Sequence, residues 1–162
     1  MQAFLNRCAE IEEVLAQVYR ELAAVYAADH ALEAIWLNMA DDESEHAREI
    51  HLAKRLLRDD LIVREQVPDA QIRKLLFRAH KILAKVRRSV LPVKEALRLS
   101  LHLEDEFRQV HVLCAVRFAD SAVQKIFERL GRADREHVAR LAEYCRLFAA
   151  REKAQGSESV PA

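Results

Sequence analysis

Glycine and proline are scarce in this chain of 162 residues, which contains two glycines and three prolines. Sandwiches and barrels join many short strands through turns that these two residues favour, so their scarcity argues against an all-β fold. Hydrophobic residues nevertheless make up 51% of the sequence, which is enough for a substantial core and too much for a disordered chain. The composition therefore favours a single all-α domain.

Cysteine and net charge are also low. The three cysteines, Cys8, Cys114 and Cys145, form no C-x-x-C pair, so these residues provide no zinc ribbon, rubredoxin-type iron centre or thioredoxin-type motif. Basic and acidic residues number 26 each, which argues against nucleic-acid binding through bulk charge. Apolar runs are too short for a membrane span, and charges occur too early for a signal peptide. We therefore expect a cytoplasmic protein without a nucleic-acid partner.

Apolar residues recur at helical spacing along most of the chain. The pattern predicts five helices, at about 4–28, 30–58, 69–88, 92–119 and 121–153. They would form one domain over residues 1–154, followed by a flexible tail over 155–162. Asp29, Asp69 and Asp120 are positioned to cap the second, third and fifth helices.

Short connections join the first helix to the second and the fourth helix to the fifth, so each pair is predicted to be antiparallel. A crossover of roughly 30 residues, which contains the shorter third helix, separates the two pairs. This order is typical of a four-helix bundle with one long crossover connection and an extra helix within it.

Two acid-x-x-His motifs lie at equivalent positions of the two halves. The second predicted helix contains Glu43-x-x-His46, and the fifth contains Asp134-x-x-His137. Of the seven histidines, only these two have an acidic residue three positions before them. Apolar residues flank both motifs on the same helical stripe, so both are predicted to face the core.

The first and fourth predicted helices carry a matching pair of polar positions. Glu12 precedes Tyr19 by seven residues, and Glu104 precedes His111 by the same spacing. Seven residues are two helical turns, so the members of each pair lie on one face. The two halves therefore repeat each other in motif and in phase.

Buried carboxylates without a partner cost several kcal/mol each, so either their pKa rises or positive charge lies between them. Four carboxylates and two neutral imidazoles balance the charge of two divalent cations. One Glu from each of two helices, with Glu-x-x-His from each of the other two, is the ligand set of di-iron and di-manganese bundles. The ligand candidates are therefore Glu12, Glu43, His46, Glu104, Asp134 and His137. A buried salt-bridge cluster without metal is the alternative.

These motifs resemble the ferritin-like superfamily, in its rubrerythrin and bacterioferritin branch. The segments similar to the four bundle helices of that branch are IEEVLAQVYRELA, DESEHAREI, HLEDEFRQVH and ADREHVARL. The resemblance implies a ferritin-like four-helix bundle and two iron ions, or manganese in their place. It also implies oxidation by dioxygen or hydrogen peroxide, of peroxidase or ferroxidase type, an external electron donor or ferrous iron, and a homodimer.

The resemblance also implies a role for each candidate. Glu43 and Asp134 would bridge the ions, and the terminal ligands would be Glu12 and His46 on one ion, Glu104 and His137 on the other. Tyr19 would lie beside the site as a hydrogen-bond donor or a radical-capable ring.

Asp134 and His111 are among the positions that depart from the family pattern. Asp134 stands where Glu is usual and reaches about 1.5 Å less far. His111 stands where symmetry with Tyr19 predicts an aromatic residue, and it could be a ligand, a proton shuttle or an ordinary core histidine. Three functions stay open: a di-iron oxidase or peroxidase, an iron-binding or storage protein, and a metal-free bundle that docks a partner through its basic third helix.

Overall fold

The structure, a computed structural model, describes residues 2–56, 68–115 and 121–158. The described residues form five helices: α1 (Gln2–Val25), α2 (His30–Leu56), α3 (Asp69–Arg88), α4 (Val93–Ala115) and α5 (Ser121–Glu158). The described residues contain no strand, so the all-helical expectation is confirmed for them. α5 extends beyond the predicted end near residue 153.

The four long helices pack as two pairs. α1 packs against α2 and α4 packs against α5, and α2 also contacts α5. Gln2 hydrogen-bonds to Lys54 near one end of the first pair, and Arg20 bonds to Ser44 further along, so α1 and α2 run antiparallel. The apolar stripes of the four helices meet in the centre of the bundle.

Trp36 connects the two pairs inside the core. Its ring on α2 is fully buried, and its indole N–H donates a hydrogen bond to Ser100 Oγ on α4. The ring also lies 5.1 Å from that of Tyr26, whose hydroxyl donates to the carbonyl of Leu91. Because a buried indole N–H needs a partner, this bond fixes the position of α4 relative to α2.

The basic helix α3 lies against α1. Several of its basic side chains form ion pairs with the bundle. Arg87 pairs with Glu21 on α1, and Arg78 pairs with Glu106 on α4. Its buried apolar residues are Ile72, Ala79, Ile82, Leu83 and Val86. Half-exposed ion pairs contribute little stability each. They nevertheless give basic side chains of α3 acidic partners within the chain. They favour packing over partner docking as the role of this helix.

The predicted cap of α3 is wrong. Pro68 occupies the N-cap position and makes no side-chain cap hydrogen bond, whereas Asp69 is the first helical residue. The Asp69 carboxylate pairs instead with Arg73 and with Arg7 of α1, and a negative charge in the first turn still complements the helix dipole. The predicted cap Asp120 lies outside the described residues.

Asp29 does cap α2, because its Oδ1 accepts hydrogen bonds from the N–H groups of Ala31 and Leu32 at 3.1 and 3.2 Å. We expect Asp29→Ala to lower the free energy of unfolding by about 1 kcal/mol, since two N–H groups of the first turn lose their acceptor. Urea denaturation followed by far-UV circular dichroism measures the change. Asp29→Ser keeps an acceptor and serves as the control. Equal denaturation midpoints for Asp29→Ala and the parent would contradict the assignment.

Candidate metal centre

Six acidic and histidine side chains converge in the centre of the four-helix bundle. All six residues are almost completely buried, with exposures between 1% and 5%. They come from all four long helices: Glu12 on α1, Glu43 and His46 on α2, Glu104 on α4, Asp134 and His137 on α5.

Glu43 belongs to two groups of possible ligand atoms. Atoms of Glu12, Glu43 and His46 lie within 4.8 Å of one another, and so do atoms of Glu43, Glu104 and His137. We call these groups the first half-site and the second half-site. Glu43 Oε2 lies 3.0 Å from Nδ1 of His46, and its Oε1 lies 3.3 Å from Nδ1 of His137. The carboxylate therefore turns one oxygen toward each half-site.

Some oxygens of the half-sites are buried without a hydrogen-bond donor. Among the described residues, neither Oε2 of Glu12 nor Oε1 of Glu43 accepts a hydrogen bond. Oε1 of Glu12 has an ionic contact of 2.9 Å with His111, but the two groups are not aligned for a hydrogen bond. A buried carboxylate oxygen without a partner is costly. Divalent cations in the half-sites would remove that cost, so these residues fit a pair of metal ions.

Acidic neighbours raise the pKa of both half-site histidines. Burial alone would lower the pKa of His46, but the carboxylates of Glu12 and Glu43 raise it to about 11. Burial alone would likewise lower the pKa of His137, but Glu104 and Glu43 raise it to about 11. Both imidazoles are therefore protonated at neutral pH in the metal-free protein. Since metal binds neutral imidazole, cations must displace these protons.

The pKa values of the two outer glutamates shift in opposite directions. Burial alone would raise the pKa of Glu12, but His111 and His46 lower it to about 2. Burial, together with the charge of Glu43, raises the pKa of Glu104 to about 7 despite the contact with His137. The first half-site therefore holds its outer carboxylate ionised more firmly than the second half-site does.

Tyr19 and His111 contact different half-sites. The Tyr19 hydroxyl donates a hydrogen bond to Oε1 of Glu104, and burial beside that carboxylate holds the pKa of Tyr19 well above its usual value. His111 contacts Glu12 of the first half-site through Nε2 and Asp134 through Nδ1, at 2.9 and 2.7 Å.

Asp134 lies beside the first half-site. Its Oδ1 is 4.0 Å from Nδ1 of His46, and its atoms belong to neither of the two ligand groups. Its other oxygen bonds to His111. The role of Asp134 as a bridge between two ions therefore stays a prediction.

A protein-family model described as Rubrerythrin matches residues 3–145, a range that includes all six ligand candidates. The chain belongs to the rubrerythrin family. Comparisons with curated proteins and with solved structures give no match. Family membership and the buried group of carboxylates and imidazoles together support a di-iron carboxylate protein. No helix within the described ranges is both long and apolar enough to span a membrane.

Asp42 is a residue of this rubrerythrin-family site that sequence reasoning missed. Its Oδ2 lies 2.9 Å from Nε2 of His137 and 3.1 Å from Arg140. A carboxylate on the outer nitrogen of a metal-binding histidine fixes the ring and makes the inner nitrogen a better ligand. The contact joins α2 to α5, so the sequence position of Asp42, directly before Glu43, gives no signal for it.

The lowered pKa of Glu12 makes the stability of the metal-free protein dependent on pH. Its contribution is fully present above the ordinary glutamate pKa of 4.5 and is lost as the pH falls through about 2. We therefore expect Glu12→Gln to lower the melting temperature at pH 7, and we expect that deficit to shrink between pH 4.5 and pH 2. Thermal denaturation of EDTA-treated protein across this range measures it.

Glu104→Gln is the matched control, because the pKa of Glu104 is raised to about 7. Its stabilising contribution is present below pH 4.5 and is lost as the pH rises through about 7, so the trend has the opposite sign. If Glu12→Gln and Glu104→Gln changed the melting temperature in parallel across the pH range, the proposed charge arrangement would be wrong.

Proposed function

We propose that the protein is a di-iron oxidoreductase that reacts with hydrogen peroxide or dioxygen, of peroxidase or ferroxidase type. The observation that carries the proposal is the position of Glu43, which turns one oxygen toward each half-site. Two ions that share a carboxylate supply two electrons together, which is what the reduction of one peroxide to water consumes.

The donor atoms support iron or manganese over a closed zinc site. The candidates are rich in carboxylate oxygen and include only two imidazoles from acid-x-x-His motifs. Structural zinc sites are usually closed by four thiolate and imidazole ligands, whereas carboxylate-rich sites suit harder ions. Iron is preferred because the family model is that of rubrerythrin, and manganese fits the same donors.

The roles proposed for the residues follow their half-sites. Glu12 and His46 would hold one ion, Glu104 and His137 would hold the other, and Glu43 would be shared. Tyr19 donates to Oε1 of Glu104, which leaves Oε2 on the side of His137, 3.1 Å from its Nδ1. Asp42 fixes the outer face of the His137 ring.

Burial supports a small oxidant. The half-site residues are at most 5% exposed, so the bundle keeps bulk water away from them. Dioxygen and hydrogen peroxide are small enough for such a site. With no C-x-x-C pair in the sequence, reduction would come from an external donor or from fresh ferrous iron. The homodimer and the cytoplasmic location stay predictions.

Metal content tests the shared role of Glu43. We expect about two iron or manganese ions per chain after purification without chelators or anaerobic ferrous loading, as in other carboxylate bundles. Glu43→Gln should lose both ions, because its carboxylate faces both half-sites. Glu45→Gln is the matched control, since the same change falls on an exposed residue of the same helix. Mass spectrometry of the metals measures the outcome. A parent protein that binds no metal would support the metal-free bundle instead.

Oxidant stoichiometry tests the proposed reaction. We expect the ferrous-loaded protein to consume one hydrogen peroxide for every two ferrous ions oxidised, because two electrons and two protons convert one peroxide to two waters. Anaerobic titration, followed by iron absorbance and peroxide assay, measures the ratio. Ferrous protein that peroxide and dioxygen both leave unoxidised would rule out this function.

A further inference from the structure

Three carboxylate oxygens lie within 4.0 Å of one point in the first half-site, Nδ1 of His46. From Nδ1 of His46, the distance to Glu43 Oε2 is 3.0 Å, to Glu12 Oε2 3.9 Å, and to Asp134 Oδ1 4.0 Å. Two atoms that each lie about 2.1 Å from one octahedral ion are about 3 Å apart when adjacent and about 4.2 Å apart when opposite. Glu43 Oε2 lies at the spacing of an adjacent ligand, and the oxygens of Glu12 and Asp134 lie between the two values, on the same side of the site as His46.

The second oxygen of Asp134 is turned away from that point. Its Oδ2 accepts a hydrogen bond of 2.7 Å from Nδ1 of His111. The other ring nitrogen, Nε2, lies 2.9 Å from Oε1 of Glu12. The imidazole of His111 therefore spans the outer oxygens of two carboxylates, whose inner oxygens are the ones nearer His46.

The packing of α4 against α5 holds His111 in this place. The side chain is 1% exposed, and its ring meets the ring of Phe127 edge-on at 6.0 Å between centroids. Gly131 on α5 faces it, and a Cβ at that position would lie 3.3 Å from Val112 Cγ2 and 3.8 Å from His111 Cβ. The missing side chain of Gly131 allows α4 and α5 to approach closely at the level of His111.

In the second half-site, two carboxylates of the described residues lie within 4.0 Å of the histidine Nδ1, compared with three in the first. Nδ1 of His137 lies 3.1 Å from Glu104 Oε2 and 3.3 Å from Glu43 Oε1. Asp134 belongs to neither group of three ligand atoms, and His46 is the half-site histidine to which it lies within 4.0 Å. An aspartate is one methylene shorter than a glutamate, about 1.5 Å of reach. With Oδ2 bonded to His111, Asp134 has one oxygen left, and that oxygen is near His46.

We propose that the two half-sites are unequal, and that His111 makes them so. His111 is a positioning residue that holds Asp134 and Glu12 toward the first half-site, so Asp134 serves one ion instead of bridging two. The second half-site would hold its ion through Glu43, Glu104 and His137 alone, and that ion would supply the chemistry with a small oxidant. The inference rests on the proposed di-metal function.

The repeat shows where the asymmetry originates. Tyr19 and His111 occupy equivalent positions of the two halves, but Tyr19 has one donor and contacts one carboxylate, that of Glu104. His111 has two ring nitrogens and contacts two carboxylates. Asp134, which is shorter than a glutamate, and His111, which has two ring nitrogens, thus depart from the symmetric pattern together.

Calorimetric titration of the metal-free protein with Co²⁺ tests the proposal. We expect two binding steps whose affinities differ by about tenfold or more, with the tighter step in the first half-site. His111→Phe should weaken the tighter step by about 10- to 100-fold, as expected when a hydrogen-bond partner of a ligand is lost, and leave the weaker step within about threefold. Tyr19→Phe is the matched control and should weaken the other step, because its hydroxyl bonds to Glu104.

Asp134→Glu provides a second, independent variant. The added methylene lets one oxygen stay with His111 or His46 while the carboxylate extends toward the second half-site. We expect the affinities of the two binding steps in this variant to differ by about threefold or less. Far-UV circular dichroism of each metal-free variant checks folding, and if His111→Phe does not fold, Asp134→Glu alone decides the question.

The outcomes separate this inference from the function on which it rests. Two equal steps in the parent, equal weakening of both steps by His111→Phe, or an unchanged difference between the two affinities in Asp134→Glu would overturn the unequal half-sites while leaving a di-metal protein. A parent that binds no Co²⁺ would overturn the di-metal function itself, and the inference with it.

Discussion

Four carboxylates buried at the centre of one helical bundle are the constraint on which the rest of the structure depends. Negative charge at this depth must be balanced, because its desolvation costs several kcal/mol for each group. In the metal-free protein the balance comes from the protonated imidazoles of His46, His137 and His111, whose pKa values the carboxylates raise. Metal ions would supply the same balance. Folding and metal binding therefore draw on the same atoms, and protons compete with metal for them.

The helical framework explains how the ligand candidates are held close to one another. A spacing of three residues puts Glu43 and His46 on one face of α2, and the bundle brings corresponding faces of four helices together. The ligand candidates lie in helix interiors, where packing fixes both the backbone and the rotamers. α3 lies outside this arrangement and contributes ion pairs to α1 and α4, such as the pair between Arg78 and Glu106.

Features set by local spacing could be predicted from the sequence, and features set by the pairing of distant side chains could not. The all-helical fold follows from apolar periodicity, and the buried acid-x-x-His motifs follow from their register on that stripe. The contact of Asp42 with His137 joins residues 95 positions apart, and no periodicity encodes it. The prediction that Asp69 caps α3 was wrong, because Asp69 is the first helical residue and its carboxylate pairs with Arg7. For His111 the sequence left three roles open, since the direction of its ring depends on packing against α5.

The departures from internal symmetry all affect the same pair of half-sites. Asp42 holds the outer nitrogen of His137, whereas Ala133, at the equivalent position of the repeat, has no side-chain acceptor to offer His46. Asp134 replaces a glutamate on the side where His111 can hold it. A repeat that kept both halves identical would make two equivalent half-sites. Under the proposed inequality, Asp134 would add a carboxylate to one half-site, whereas Asp42 orients the histidine of the other. The first half-site would then retain its ion more firmly, and the second would leave room for a reactant.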